Sequence, residues 1–462
     1  MTLDWLSYLD KKSDRFLEDF LELLRIPSVS TQPENKIGVR RAAGWVAERL
    51  RQAGIEGVAV METAGHPVVY GEWGHAPGKP TVLFYGHFDV QPCDNQGWDS
   101  SPFEPVVHDG RVYARGASDM KGNLLLPLYA CEALLRAEGV LPVNVKFLCE
   151  GEEEIGSPSL APFVTSHRDL LECDLVVSGD SAQHGEEQPS LMVGLRGVCG
   201  LQIDVRSAAT DMHSGLLGGI VPNALHALVR ILDSMRSPEG RILVDGFYDE
   251  VLPLSPAERE AMAGIPDNRA EIVRQTGIKK TVGEPGFTTR ERNWARPTLE
   301  VNGIWGGYIG EGVKTVIPRE AHAKITCRLV PEQSPRQVLD LLQAHIARYA
   351  PPEVDVEVSP FPGRSDPYLI PLDHPGILAA QRALTLLYRK QPYYTRFGAT
   401  IPATAIFLQE LGAYTIQFGF GMEDERQHAA NEFVRLGNLM KGQRAFGMLL
   451  RELEGLRQGK KL

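Results

Sequence analysis

The chain has 462 residues, 43% hydrophobic and 23% charged, which is too long for one ordinary core and leads us to expect two domains. Its 48 Lys and Arg against 59 Asp and Glu leave a formal charge of −11, which argues against nucleic acid or an anionic membrane as the main partner. No stretch approaches the roughly 20 apolar residues of a membrane helix, and the opening Met1-Thr2-Leu3-Asp4-Trp5 lacks the basic and apolar regions of a signal peptide.

Ser13 is placed to cap a helix whose Phe16, Leu17, Phe20, Leu21 and Leu24 form one apolar stripe, and Pro27 stops it. A second helix is expected over 39–52, with Gly54 ending it. Short strands follow near 57–61 and 67–72, then a buried strand over 80–85. Residues 122–137 read as a helix, with Pro127 tolerable near its first turns or at a kink. The runs 143–149 and 175–178 are two more buried strands. Continuous apolar strands separated by helices imply an α/β fold with a mostly parallel sheet covered by helices on both faces.

The character changes after the polar segment 183–190. Residues 192–207 alternate like one half-exposed strand, 221–235 read as a helix, and 237–297 form a long, partly helical excursion rich in Pro, Gly and charge. A strand over 321–330, a helix over 335–349 and a strand over 354–358 complete a smaller α+β domain with an antiparallel sheet. A helix over 376–388, a buried strand over 415–418 and a closing helix over 436–456 return to the first pattern. The expected division is a catalytic domain over 1–190 and 367–462, interrupted by an inserted lid and dimerisation domain over 191–366.

The six cysteines, Cys93, Cys131, Cys149, Cys173, Cys199 and Cys327, contain no Cys-x-x-Cys pair, and most sit in apolar runs. This favours a reduced, cytoplasmic setting over a disulfide framework.

Chemistry gathers where the buried strands end, which is where ligands collect in open α/β sheets. His87 and Asp89 follow one strand, Glu153 and Glu154 a second, Asp180 a third; Asp119 precedes a helix and His428 lies near the end of the chain. Singly, each has a bland explanation as a turn, a cap or a solvated face. Together, two imidazoles and several carboxylates suit zinc, with manganese or cobalt also accommodated. His87, Asp119, Glu154, Asp180 and His428 supply five ligands, which fits two ions about 3.5–4 Å apart sharing one carboxylate and a hydroxide. Glu153 is the carboxylate left to take a proton, and Asp89 is placed to hold the other ring nitrogen of His87. A glycine-rich run from Gly303 to Lys314-Thr315 lacks the Gly-Lys-Ser/Thr order of a phosphate loop, and a strand rather than a helix follows it.

Five segments carry a resemblance. They are Gly86-His87-Phe88-Asp89-Val90-Gln91-Pro92, Arg115-Gly116-Ala117-Ser118-Asp119-Met120-Lys121-Gly122, Glu150-Gly151-Glu152-Glu153-Glu154-Ile155-Gly156-Ser157, Ser178-Gly179-Asp180 and His428-Ala429-Ala430-Asn431-Glu432. In order and content they resemble the M20 metallopeptidases, the dinuclear zinc family of carnosinase-like dipeptidases, carboxypeptidases and acylases. The resemblance implies His87 and Asp180 on one zinc, Glu154 and His428 on the other, Asp119 as the bridge, Asp89 as the orienting acid and Glu153 as general base. Met120 stands where dipeptidase members often have a second Asp.

Asp211-Met212-His213-Ser214-Gly215 resembles the segment whose His reaches across a homodimer to stabilise the oxyanion, which assigns that role to His213. Ile325-Thr326-Cys327-Arg328-Leu329-Val330-Pro331 resembles the region that places an Arg on the substrate carboxylate, making Arg328 a substrate-binding residue. Gly398-Ala399-Thr400-Ile401-Pro402 resembles a substrate-holding Gly-Gly-Ser-Ile-Pro, with Thr400 replacing a Ser and Gly398 beside it. The implied function is hydrolysis of the peptide bond of dipeptides or short peptides by a hydroxide bridging two zinc ions, in a cytoplasmic homodimer. An N-acyl amino acid amidohydrolase using the same metal site is the alternative, which the long segment 237–297 disfavours.

Overall fold

The computed structural model describes residues 4–93 and 97–456. Residues 1–3, on which the signal-peptide reading partly rests, lie outside the described residues. The chain forms two compact units. The first comprises the residues up to Val193, Ile370–Thr395 and those from Pro402 on; the second comprises Gly194–Leu369 and Arg396–Ile401.

The first unit is built on a sheet in the order Glu56–Met61, Val68–Trp73, Asn144–Glu150, Thr81–His87, Leu175–Ser178, Thr415–Gln417 and Ser190–Leu195. Its three central pairings are parallel. The outer pairings are antiparallel. The apolar strands lie where the parallel core buries both faces: Leu175–Ser178 is buried throughout, and Thr81–His87 at every residue but the first. Successive residues of a strand point to opposite faces. Phe84 packs its ring 5.8 Å from Phe446 of helix Leu436–Glu454, and Tyr85 packs 5.1 Å from Phe407 of helix Pro402–Leu411. Helices therefore cover both faces, as the continuous apolar strands imply.

The second unit is an antiparallel sheet in the order Thr298–Gly306, Glu320–Leu329, Gly197–Arg206 and Asp355–Pro360. Leu201, Ile203, Val205, Ala323 and Ile325 of the sheet pack with Leu228 and Ile231 of helix Ala224–Ser234 and Leu342 and Ile346 of helix Pro335–Tyr349 in one core.

Several expectations are corrected. Ser13 does not cap its helix: it is the first helical residue of Ser13–Leu24, and an unforeseen helix, Trp5–Lys11, precedes it with Asp4 as the cap. That helix buries only Trp5 and Leu9, too short a stripe to register as periodic. The single strand expected over 192–207 is two, Ser190–Leu195 and Gly197–Arg206, broken at Arg196. A Cβ on Gly197 would lie 2.6 Å from the backbone of Ser365 and Pro367, so the chain turns where only glycine fits. Strand Thr298–Gly306 was not foreseen, because it is an edge strand, largely exposed, with an irregular register between Val301 and Gly303. Helix Pro402–Leu411 was not foreseen either. Among the described residues no cysteine forms a disulfide, and no helix is long and apolar enough to cross a membrane.

Candidate metal centre

Strand ends and tight turns of the first unit assemble the centre. His87 is the last residue of its strand, and Glu153 and Glu154 sit in a one-turn 3-10 helix just past Glu150. Asp180 lies two residues beyond Ser178. Asp119 occupies an irregular turn before helix Gly122–Glu138, with non-helical φ −118° and ψ 99°. His428 and Asn431 adopt left-handed backbones, φ 60° and 59°, in the loop that returns to the centre. Such conformations cluster at functional sites.

The structure brings these residues together. His87 Nε2 lies 3.2 Å from Asp119 Oδ1, and His428 Nε2 lies 2.9 Å from Asp119 Oδ2 and 3.2 Å from Glu154 Oε2. One Asp119 carboxylate thus stands between two imidazoles. Ligand atoms of His87, Asp119 and Glu154 fall within 4.8 Å of one another. Glu153 Oε2 is 3.9 Å from His87 Nε2, and Asp180 interacts electrostatically with Asp119, His87, Glu154 and His428.

Charge does not balance among these side chains. Burial, with Asp119 and Glu154 nearby, pushes the Asp180 carboxyl up to about 7, and burial pushes Glu153 well above the usual carboxylate range. Burial alone would raise Asp119, but its bonds to His428 and His87 outweigh this and hold it below the ordinary value. The same bonds, to Asp119 first and Glu154 second, raise His428 to about 10. Asp89, Asp119, Glu153, Glu154 and Asp180 are more carboxylates than two imidazoles can compensate in a buried place, which is the arrangement divalent cations satisfy. His87 Nε2, fully buried, lies 3.2 Å from Asp119 Oδ1 without a well-aligned hydrogen bond to any described residue. An imidazole nitrogen facing carboxylates without an aligned hydrogen bond fits a metal ligand, and N/O donors suit zinc, manganese or cobalt.

Asp89 differs in detail from its expected place. His87 Nδ1 is nearer the Asp89 main-chain oxygen, 3.1 Å, than its carboxylate, 3.5 Å. The Asp89 carboxylate instead accepts the main-chain N–H groups of Glu153 at 3.2 Å and Glu154 at 3.1 Å. Asp89 therefore fixes both the ring of His87 and the turn that carries the two glutamates.

Two further buried carboxylates escaped the sequence reading. Glu432 accepts from Arg115 Nη1 at 2.8 Å and from the main-chain N–H groups of Gly116, Ser118 and Asp119 at 3.0 Å each. It grips the whole turn that presents Asp119. Glu425 accepts Ser118 Oγ at 2.7 Å and supports the same turn. Glu432 closes the segment His428–Glu432 that carries the resemblance, but nothing in the sequence gives it this task. Gln91 donates from Nε2 to Glu154 Oε2 at 2.7 Å.

The remaining candidates belong to the second unit. Arg328 Nη1 donates to Thr400 Oγ1 at 2.8 Å, and that hydroxyl donates to the Arg196 carbonyl at 2.5 Å, so the threonine proton is already engaged. Gly398 accepts from Arg196 Nε. His213 is exposed, with Nδ1 accepting the Gly215 N–H at 3.0 Å.

The model of peptidase family M20/M25/M40 matches residues 83–452. The chain is 31% identical to the Cys-Gly metallodipeptidase dug1 of Schizosaccharomyces pombe over 98% of both chains. The solved structure of human carnosine dipeptidase 1 superposes with a TM-score of 0.80 at 31% identity, covering 98% of each chain. The M20 family metallo-carboxypeptidase Sso-CP2 of Sulfolobus solfataricus gives 0.83 at 30% identity, covering 96% of this chain and 99% of that one.

Proposed function

The chain belongs to peptidase family M20/M25/M40 and is a metallopeptidase of its dipeptidase and carboxypeptidase kind, and from that premise we propose that it cleaves dipeptides with two zinc ions. The observation that carries the proposal is the Asp119 carboxylate set between His87 and His428, with Glu154 beside them. In this reading His87 and Asp180 would hold one ion and Glu154 and His428 the other, with Asp119 serving both. Bound there, the ions would acidify a shared water and polarise the scissile carbonyl.

The chain's own residues do the rest. Glu153, kept off the ions, takes the water's proton and delivers it to the leaving amine. Asp89 holds His87 and the Glu153–Glu154 turn in register. Arg328, half-buried and without an ion-pair partner among the described residues, receives the substrate carboxylate, with the Thr400 hydroxyl holding its guanidinium in place. His213 steadies the oxyanion from a partner subunit of a homodimer. Leu216, Ile220, Ile309 and Val313, all at least 73% exposed in the second unit, offer apolar surface for such an association. A cytoplasmic setting agrees with six cysteines that form no disulfide among the described residues.

The test is a panel of dipeptides and N-acetyl amino acids assayed with metal-stripped protein and with protein reloaded with zinc. Zinc-dependent hydrolysis confined to dipeptides is expected. Turnover of the N-acetyl compounds alone would replace this reading with the amidohydrolase one.

A further inference from the structure

Arg196 occupies the break between strands Ser190–Leu195 and Gly197–Arg206, and it is only 8% exposed. It ties itself to three consecutive residues of one loop. Its main-chain N–H donates to the Ala399 carbonyl at 3.1 Å, its Nε donates to the Gly398 carbonyl at 2.8 Å, and its carbonyl accepts the Thr400 hydroxyl at 2.5 Å. Nη2 reaches Asn293 Oδ1 at 3.3 Å and Nη1 the Arg296 carbonyl at 3.4 Å. All of its partners are neutral. Among the described residues it forms no ion pair.

A buried guanidinium without a direct ion pair is costly, and burial, with Arg328 nearby, lowers its pKa to about 10 against the weaker opposing pull of Glu300. That cost is retained where the geometry it fixes is useful. The Arg196 main-chain carbonyl accepts the Thr400 hydroxyl, which in turn accepts from Arg328 Nη1, and the Arg196 side chain holds the loop carrying Thr400 through the Gly398 carbonyl, so the orientation of the Arg328 fork depends on that side chain. Packing leaves the loop no slack: a Cβ on Gly398 would lie 2.3 Å from Asn293 Oδ1 and 3.0 Å from Arg196 Nη2.

We infer that Arg196 is the positioning residue of the carboxylate-receiving Arg328, acting through Thr400 and its loop, so that selection for a substrate with a free carboxylate is set by a side chain that need not touch it. The inference rests on the dipeptidase reading. Its second cation also adds positive potential at Arg328, which favours an anionic over a neutral substrate end.

The test compares wild type with Arg196→Met on a dipeptide and on the same dipeptide as its carboxamide, with melting temperature and metal content measured alongside. The expected result is a KM for the dipeptide raised about tenfold, with its kcat and the carboxamide's low kcat/KM each within about threefold of wild type. Should Arg196→Met fail to fold, Arg196→Lys is used, because it keeps the charge but lacks the Nε and Nη2 groups that reach Gly398 and Asn293, and the same split is expected. An unchanged KM, a loss confined to kcat, or equal losses on acid and amide would overturn the inference while leaving the dipeptidase reading intact. A wild type that hydrolyses no dipeptide would overturn both.

Discussion

Glu153 and Glu432 carry the same functional group and are assigned opposite tasks. Glu153 accepts no hydrogen bond through its carboxylate among the described residues and sits 3.9 Å from His87. Glu153→Gln is expected to retain its metal content while kcat falls about 10²–10⁴-fold; metal analysis beside steady-state kinetics checks both halves. Glu432 spends its carboxylate on Arg115 and three main-chain N–H groups around Asp119. Glu432→Gln exchanges two acceptor oxygens for an acceptor and a donor, and should weaken metal binding about 10–100-fold in a chelator competition. An unchanged affinity would mean that the turn holds Asp119 unaided. The contrast explains what could be read from the sequence. His87, Asp119, Glu153, Glu154 and Asp180 follow apolar runs or precede a helix, so their places were legible. Glu432 was not, because its partners are main-chain groups more than 300 positions away, and neither was the use Asp89 makes of the 153–154 turn.

At the scale of elements, the helix Gly122–Glu138 that follows Asp119 is fastened by a buried ion cluster. Glu132 pairs with Arg49 of helix Lys36–Ala53 and with Arg15 of helix Ser13–Leu24, and accepts the Tyr8 hydroxyl at 2.8 Å. Burial alone would raise its pKa, but Arg49 and Arg15 outweigh this and hold it below the usual glutamate value. Glu132→Gln is expected to cost about 3 kcal/mol, the lower end for breaking a buried pair, since Arg49 keeps Asp19. A group whose folded pKa is depressed stabilises above its unfolded pKa and loses that contribution as pH falls through the folded one. The gap between wild type and variant should therefore be full near neutrality and close as pH drops below about 4.5, in urea titrations across pH. A gap independent of pH would assign the loss to packing. Helices such as Lys36–Ala53, ended by Gly54 at φ 95°, were legible from their stripes and stops. Strand Thr298–Gly306 was not, because an exposed edge strand with an irregular register shows no alternation.

For the whole molecule, the mixture of parallel and antiparallel strands was legible in the change from continuous apolar runs to alternation. The break at Arg196 was not, because it is set by close contacts of Gly197 with residues 365–367. If His213 serves a partner's site, Glu153→Gln and His213→Ala chains, each inactive alone, should recover activity on mixing. Random exchange makes half of the dimers mixed, each with one intact site, for about a quarter of wild-type activity. No recovery under conditions of proven subunit exchange would confine His213 to its own chain.

The central claim is that His87, Asp119, Glu154, Asp180 and His428 hold two cations and leave Glu153 off them. Anomalous diffraction at the zinc edge from crystals of the zinc-loaded protein tests it most directly. Two peaks flanking the Asp119 carboxylate, with Glu153 outside the ligand set, are the predicted result. A single peak, or ions ligated by Glu153 or by other residues, would contradict it.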